Sequence, residues 1–354
     1  MTSEPRARER ATIEDVARAA AVSRQTVSNV VNAPERVAPE TLERVRREIA
    51  RLGFRPSRAA QQLKKERAGA WALEIDSRGF GRLGAVLDSF LVSLTTGSRR
   101  HGSHIVPFTA PDPADPIPSY EDLVASRIAD GFVLTDTRHG DPRPAWLEAN
   151  QVPYAAFGRV WDDPTVTSWV DVDGASGVDA AVRHLAHQGY NRIGFLGWPE
   201  GSPVGDDRRA GWAGATAELG LAHPEWNATA HQVLESASAA AGPLIDVLGR
   251  GGALVCASDA LALGAWRVLI ERGMRPGPDF GLVGFDDTDI ADALDLTSLR
   301  QPLDEVADHV LHMLGIGAAP HAAATPGLLL IPELVVRSSS NPRGRPHEPE
   351  REVT

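Results

Sequence analysis

The sequence predicts a small all-α head carrying a helix-turn-helix, followed by a larger α/β body of two lobes with parallel sheets. Three observations predict it. Residues 1–67 hold 15 Lys and Arg against 9 Asp and Glu, a net charge of +6, whereas the rest carries −17, giving −11 overall. In the head, apolar residues recur at helical spacing in short stripes. Beyond Ala68, short apolar runs alternate with helix-like stretches, the pattern of parallel strands covered on both faces. A length of 354 residues exceeds one ordinary core and leaves room for both parts.

Composition narrows the function classes. Apolar residues make up 42% of the chain, and no run is long enough to cross a bilayer. The opening "MTSEPRARERATIEDV" is charged and lacks the apolar stretch of a secretory signal. Cys256 is the single cysteine; it lies in "GALVCAS" and reads as a small buried hydrophobe, since no internal disulfide is available to it. These features predict a cytoplasmic protein with no membrane partner. A basic head on an acidic body suggests two tasks in one chain.

In the head, residues 1–10 read as a disordered lead-in and 11–56 as the helical domain. Thr12 followed by Asp15 is an N-cap pattern, and Ile13, Val16, Ala17 and Ala20 form the first apolar stripe. "AAV" makes a tight break. Ser23 can cap a second helix from Arg24 to Val31, whose Val27, Val30 and Val31 share one face. Pro39 suits the first turn of a third helix with the stripe Leu42, Val45, Ile49 and Leu52, and Gly53 is its stop. Valine is a poor helix former, so three of them on a short helix are there to pack. The opposite face carries Arg24, Gln25, Ser28 and Asn29. In a helix-turn-helix that face lies in the major groove, where Arg can read guanine and Gln or Asn can read adenine. Residues 57–68 then form a short, small-residue-rich segment that cannot bury much alone. A helix there needs duplex DNA to order it, with a protruding leucine wedging into the minor groove.

The stretches "ATIEDVARAAAVSRQTVSNVVN", "VAPETLERVRREIARLGF" and "RPSRAAQQL" resemble the lactose-repressor (LacI) family of bacterial transcription regulators. The resemblance implies DNA contacts from Thr12, Ser23, Arg24, Gln25, Thr26, Ser28, Asn29 and Asn32. It implies further contacts from the hinge residues Arg58, Ala60, Gln61 and Leu63, with Leu63 levering open the central base step. Many members carry Arg where this chain has Asn29, and Asn where it has Ser57.

The body, residues 69–340, contains strand-like runs "AWALEI", "SHIVPFT", "GFVLTD", "VPYAAFG", "SWVDVDG", "RIGFLGW", "GALVCAS" and "FGLVGFDD". Ligands in such folds bind at the carboxyl ends of strands, so runs ending at Gly158-Arg159, Gly197-Trp198, Ser258-Asp259 and Asp286-Asp287 point toward one cleft. The family resemblance continues to about Arg337. It implies a periplasmic-binding-protein-like body of two lobes joined by three crossovers, with Arg208 gripping ligand hydroxyls and Ser258, Asp259 and Asp286 in the cleft. A sugar suits that chemistry: carboxylates accept from hydroxyls, arginine donates in a fork, and an indole covers the C–H face. Trp198 is the best placed ring, with Trp161 and Trp169 as alternatives and Trp212 and Trp266 as packing residues. Arg159 reaches the cleft or pairs with an acid. Of the consecutive Asp206 and Asp207, one caps the helix before Arg208; Asp207 is taken as the effector-side residue.

Other motifs carry less. "GFGRLG", Gly79 to Gly84, spells a dinucleotide fingerprint, but the next strand lacks the ribose-binding acid, so no cofactor is expected and the loop reads as cleft lining. His184 with His187, and His309 with His312, share helical faces without a third ligand; they read as solvated rather than metal-binding. Residues 341–354 read as a charged, disordered tail. The expected function is a nucleoid-associated, sequence-specific repressor. As a homodimer it binds a near-palindromic operator, and a mono- or disaccharide effector releases it. The alternatives are a corepressor-dependent regulator, a sugar-transport protein and a sugar-modifying enzyme.

Overall fold

The computed structural model describes residues 11–54, 68–75, 85–112, 114–316 and 327–343. The chain divides into two units, Met1–Ala68 and Gly69–Thr354.

In the first unit, helix α1 (Ile13–Ala19) opens with a reciprocal cap. The Thr12 hydroxyl accepts from the Asp15 amide, and the Asp15 carboxylate accepts from the Thr12 amide at 3.0 Å. Ala21, at φ +51°, turns the chain. Helix α2 (Arg24–Asn32) starts with the Ser23 hydroxyl accepting from the Thr26 amide at 3.1 Å. Helix α3 (Pro39–Leu52) has Pro39 in its first turn and ends at Gly53, whose φ of +63° is readily adopted by glycine. Val16, Ala20, Val27, Val30 and Val45 form the core, with Leu42, Ile49 and Leu52 packed on it. Val31, expected on the same buried face as Val27 and Val30, is half-buried and outside this cluster. Two residues one turn apart are enough to fill the seam over α1 and α3.

The second unit begins with β1 (Ala70–Glu74), α4 (Ala85–Arg100), β2 (His104–Phe108), α5 (Ile117–Ala125), β3 (Gly131–Leu134), α6 (Pro142–Ala149), β4 (Tyr154–Phe157) and β5 (Trp169–Val172). It continues with α7 (Gly174–His187), β6 (Ile193–Gly197), α8 (Pro203–Glu218), β7 (Asn227–Thr229), α9 (Leu234–Leu248), β8 (Ala253–Cys256), α10 (Asp259–Glu271), β9 (Gly281–Asp286) and α11 (Asp289–Ala293). It ends with β10 (Thr297–Arg300), α12 (Leu303–Met313), β11 (Leu328–Leu330) and β12 (Glu333–Val335).

Two six-stranded sheets result, in the orders β11-β5-β4-β3-β1-β2 and β12-β10-β9-β8-β6-β7. All neighbours run parallel except β12, which pairs antiparallel with β10 through Ser298 and Val335. The chain passes between the sheets three times: after β5, after β10, and between β11 and β12. This is the two-lobed architecture expected. Strands β3 and β8 are buried along their whole length, as strands with both faces covered must be. Helices close in on glycine. A Cβ on Gly211 of α8 would sit 2.2 Å from the Ala175 carbonyl of α7, and one on Gly264 of α10 would sit 2.4 Å from the Ala237 Cβ of α9. Among the described residues no helix is long and apolar enough to cross a membrane.

Candidate functional site

Strand ends from both lobes face a cleft of about 670 Å³. Lobe 1 lines it with the start of α4, with Thr135, Asp136 and Thr137 after β3, with Phe157 and Gly158, and with Asp171 and Val172 of β5. Lobe 2 contributes Trp198 after β6, Arg208 of α8, the Asp286–Ile290 turn after β9, and Gln301 at the crossover after β10.

Arg208 is placed by the start of α8. Ser202 is the cap there, its hydroxyl accepting from the Gly205 amide, with Pro203 in the first turn. This corrects the expectation that Asp206 or Asp207 caps this helix: the helix begins a turn earlier, so both aspartates lie inside it. The Arg208 stem crosses Gly174, where a Cβ would come within 2.9 Å of its Cγ. The guanidinium lies 3.5 Å above the Phe285 ring centroid and 5.1 Å from that of Trp198. One nitrogen donates to the Ala257 carbonyl, and the same Nη1 lies 3.7 Å from an Asp286 oxygen. Its Nε is buried without a partner. Burial pulls the guanidinium below its ordinary value, opposed foremost by Asp286.

Asp286 accepts from the Gln301 amide nitrogen at 2.7 Å. Burial pushes its carboxyl up to about 7, with Arg208 opposing the rise and Asp259 adding to it. Fork donors, a carboxylate acceptor and an indole thus converge on one cavity, a set suited to a polyhydroxylated ligand with an apolar face.

In the head, Arg24 and Gln25 stand exposed in the first turn of α2, while Ser28 and Asn29 are half-buried. Gln25 Nε2 donates to Asn29 Oδ1 at 2.9 Å, so the two amides orient each other. Arg24 pairs with Glu14 of α1 at 3.0 Å, and the Ser23 and Thr26 hydroxyls are 2.9 Å apart. Asn32 is the last residue of α2.

A model of the lacI family of bacterial regulatory proteins matches residues 12–57, and a periplasmic binding protein-like domain matches 182–340. The HTH-type transcriptional regulator CelR of Thermobifida fusca is 31% identical over 94% of this chain and 99% of its own length. The chain belongs to the LacI family. Among solved structures, a CelR–cellobiose complex superposes with a TM-score of 0.69 at 28% identity, covering 93% of this chain and all of that one. The lac repressor dimer bound to operator and an anti-inducer shares the fold, with a TM-score of 0.78 at 23% identity over 94% of this chain and all of that one. This LacI-family chain is therefore a DNA-binding transcriptional regulator and not an enzyme.

Of the residues expected on the effector, Trp198, Arg208 and Asp286 line the cleft; Arg159, Asp207, Ser258 and Asp259 are not among its lining residues. Ser258 caps α10, accepting from the Leu261 amide. Asp259 accepts from the Thr288 amide and hydroxyl at 2.7 and 2.9 Å and from the Ser298 hydroxyl at 2.6 Å. Arg159 joins Asp171 of lobe 1 at 3.0 Å to Asp207 of lobe 2 at 2.8 Å, and stacks 4.4 Å above Trp161. Trp212 donates to the Ile193 carbonyl and Trp169 to that of Val166. His184, expected to be solvated, is half-buried against the Ser340 hydroxyl, because the C-terminal segment crosses α7 there. Sequence reasoning missed Asp136, Thr137 and Gln301. Asp136 ends the run "GFVLTD" and Thr137 follows it, so this polar strand end carried the same signal as the others. Arg58, Ala60, Gln61, Leu63 and the Gly79–Gly84 loop lie outside the described residues.

Proposed function

We propose that this regulator is a homodimeric repressor whose operator affinity is lowered by a mono- or disaccharide bound between the lobes. The observation that carries the reading is the cleft in which Arg208, Asp286 and Trp198 meet. The similarity to CelR, whose complex contains cellobiose, supports a sugar of that class. Arg24, Gln25, Ser28 and Asn29 face operator bases in this reading, with Thr12, Ser23, Thr26 and Asn32 beside them and the hinge residues Arg58, Ala60, Gln61 and Leu63 in the minor groove. Two heads are needed because one makes too small an interface for tight specific binding. Sugar releases DNA only by favouring the lobe arrangement that holds the heads unfavourably; equal binding to both arrangements changes nothing.

A thermal-shift screen of mono- and disaccharides, cellobiose among them, tests the site, since a ligand of the folded form raises the melting temperature. Fluorescence anisotropy on operator DNA with and without the stabilising sugar then tests the response. A shift accompanied by operator release supports the reading. Stabilisation without any change in DNA affinity, or sugar turnover, overturns it.

A further inference from the structure

We propose that Arg337, placed behind the cleft wall and not in its lining, is a positioning residue that presents the Asp286 carboxyl to the effector. This rests on the reading of the cleft as an effector site. Asp286 and Asp287 stand at φ +105° and +50°, backbone that non-glycine residues rarely adopt. Such a turn persists only when its surroundings fix it. Three groups do so. Asp259 takes the Thr288 amide and hydroxyl, as described above. The Asp287 amide donates to the Ser298 hydroxyl at 3.0 Å. The Asp287 carboxylate is held by Arg337 Nη1 at 2.6 Å and by Arg300 at 2.7 Å.

The two arginines differ in environment. The Arg300 side chain is 50% exposed, so water can replace it, whereas the Arg337 side chain is 15% exposed and that of Asp287 only 5%. Arg337 also donates to the Leu296 carbonyl at 2.8 Å, and its amide donates to the Thr297 hydroxyl. The segment after it is anchored in turn. Buried Ser339 accepts from the Thr297 amide and donates to the Leu282 carbonyl. The C-terminal strap thus carries one largely shielded cation to the back of the turn whose front faces the cleft. Arg337 itself is not among the cleft-lining residues.

The test compares Arg337→Met, Arg337→Lys and Arg300→Met in the full chain. One readout is amide hydrogen exchange at residues 287–290, with β8 amides as the control for global loosening. The other is cellobiose affinity, followed by tryptophan fluorescence. Arg337→Met speeds exchange at 287–290 but not in β8, and weakens cellobiose on the order of tenfold, as expected when a site loosens. Arg337→Lys recovers most of both, and Arg300→Met changes neither by more than about threefold. Unchanged exchange at 287–290 in Arg337→Met overturns the proposal, as does loosening shared equally with β8. If the unmodified protein ignores cellobiose, the sugar assignment fails for that probe, and the exchange comparison alone still decides the role of Arg337.

Discussion

Asp286 is the cleft residue whose charge its surroundings most clearly control. Its carboxyl is pushed up to about 7 from an ordinary 3.8 by burial. The folded chain therefore holds this proton more tightly than the unfolded one. The stability it contributes is fully present below about pH 4 and is lost as pH rises through about 7. Asp286→Asn removes that dependence. Between pH 4 and 8 its melting temperature should rise relative to the unmodified protein, by the equivalent of up to roughly 4 kcal/mol, read from paired denaturation curves. The sign for ligand is opposite. A sugar hydroxyl donates to the carboxylate, so effector affinity should increase with pH through the same range and lose that increase in Asp286→Asn; calorimetric titrations at pH 6 and 8 check it. Buried Arg143 offers a contrasting case. It ties Glu74 and Asp141 together and donates to the carbonyls of Thr135 and Asp136, the latter at φ +52° on the cleft wall. Arg143→Met removes the cation from two carboxylates, leaving Glu74 only the Tyr120 hydroxyl, and should cost about 3–5 kcal/mol in urea denaturation.

At the scale of elements, α2 shows what the sequence conveys and what it leaves out. Its cap, its length and its exposed Arg24 and Gln25 follow from spacing alone. Strands β7, β10, β11 and β12 did not stand out. "NAT", "LLL" and "ELV" are too short for periodicity to separate strand from loop, "TSLR" has a single apolar residue, and their pairing depends on other strands of the sheets. Gln301 was lost with β10, because a crossover is invisible until the strand before it is known. Side-chain roles were lost differently. Ser258 and Asp259 sit at a strand end, as a ligand contact should, yet Ser258 is used in a helix cap and Asp259 in holding the neighbouring turn. Two element-level outcomes follow. Arg24→Ala should relax base choice at one operator position, at about 1–3 kcal/mol, in a base-substitution binding series. Gly211→Ala should destabilise the body by about 1–3 kcal/mol, since the new methyl meets the Ala175 backbone of α7 rather than a movable side chain.

Across the whole body, the proposed sugar response depends on how the two lobes are held against each other, and Arg159 is placed to influence that. It leaves β4 in lobe 1, is anchored there by Asp171, and reaches Asp207 on α8 of lobe 2. Asp207 also accepts from the Ala175 amide beside the first crossover, so the ion pair spans the lobes next to a chain segment that joins them. The pair is largely out of water, where breaking it carries a real cost, unlike an exposed pair. Neither residue lines the cleft, so altering them leaves the sugar's own contacts in place and changes the balance between lobe arrangements. Asp207→Asn keeps the Arg159–Asp171 pair and is the cleaner variant; Arg159→Gln strands Asp171 and should also lower stability. Each should change the ratio of operator affinities without and with sugar by about fivefold or more, and the double variant should go no further than the larger single effect. Anisotropy titrations on operator DNA measure all four ratios. Additive effects would show that the two side chains act separately and that the lobes are held by the packing around the crossovers instead.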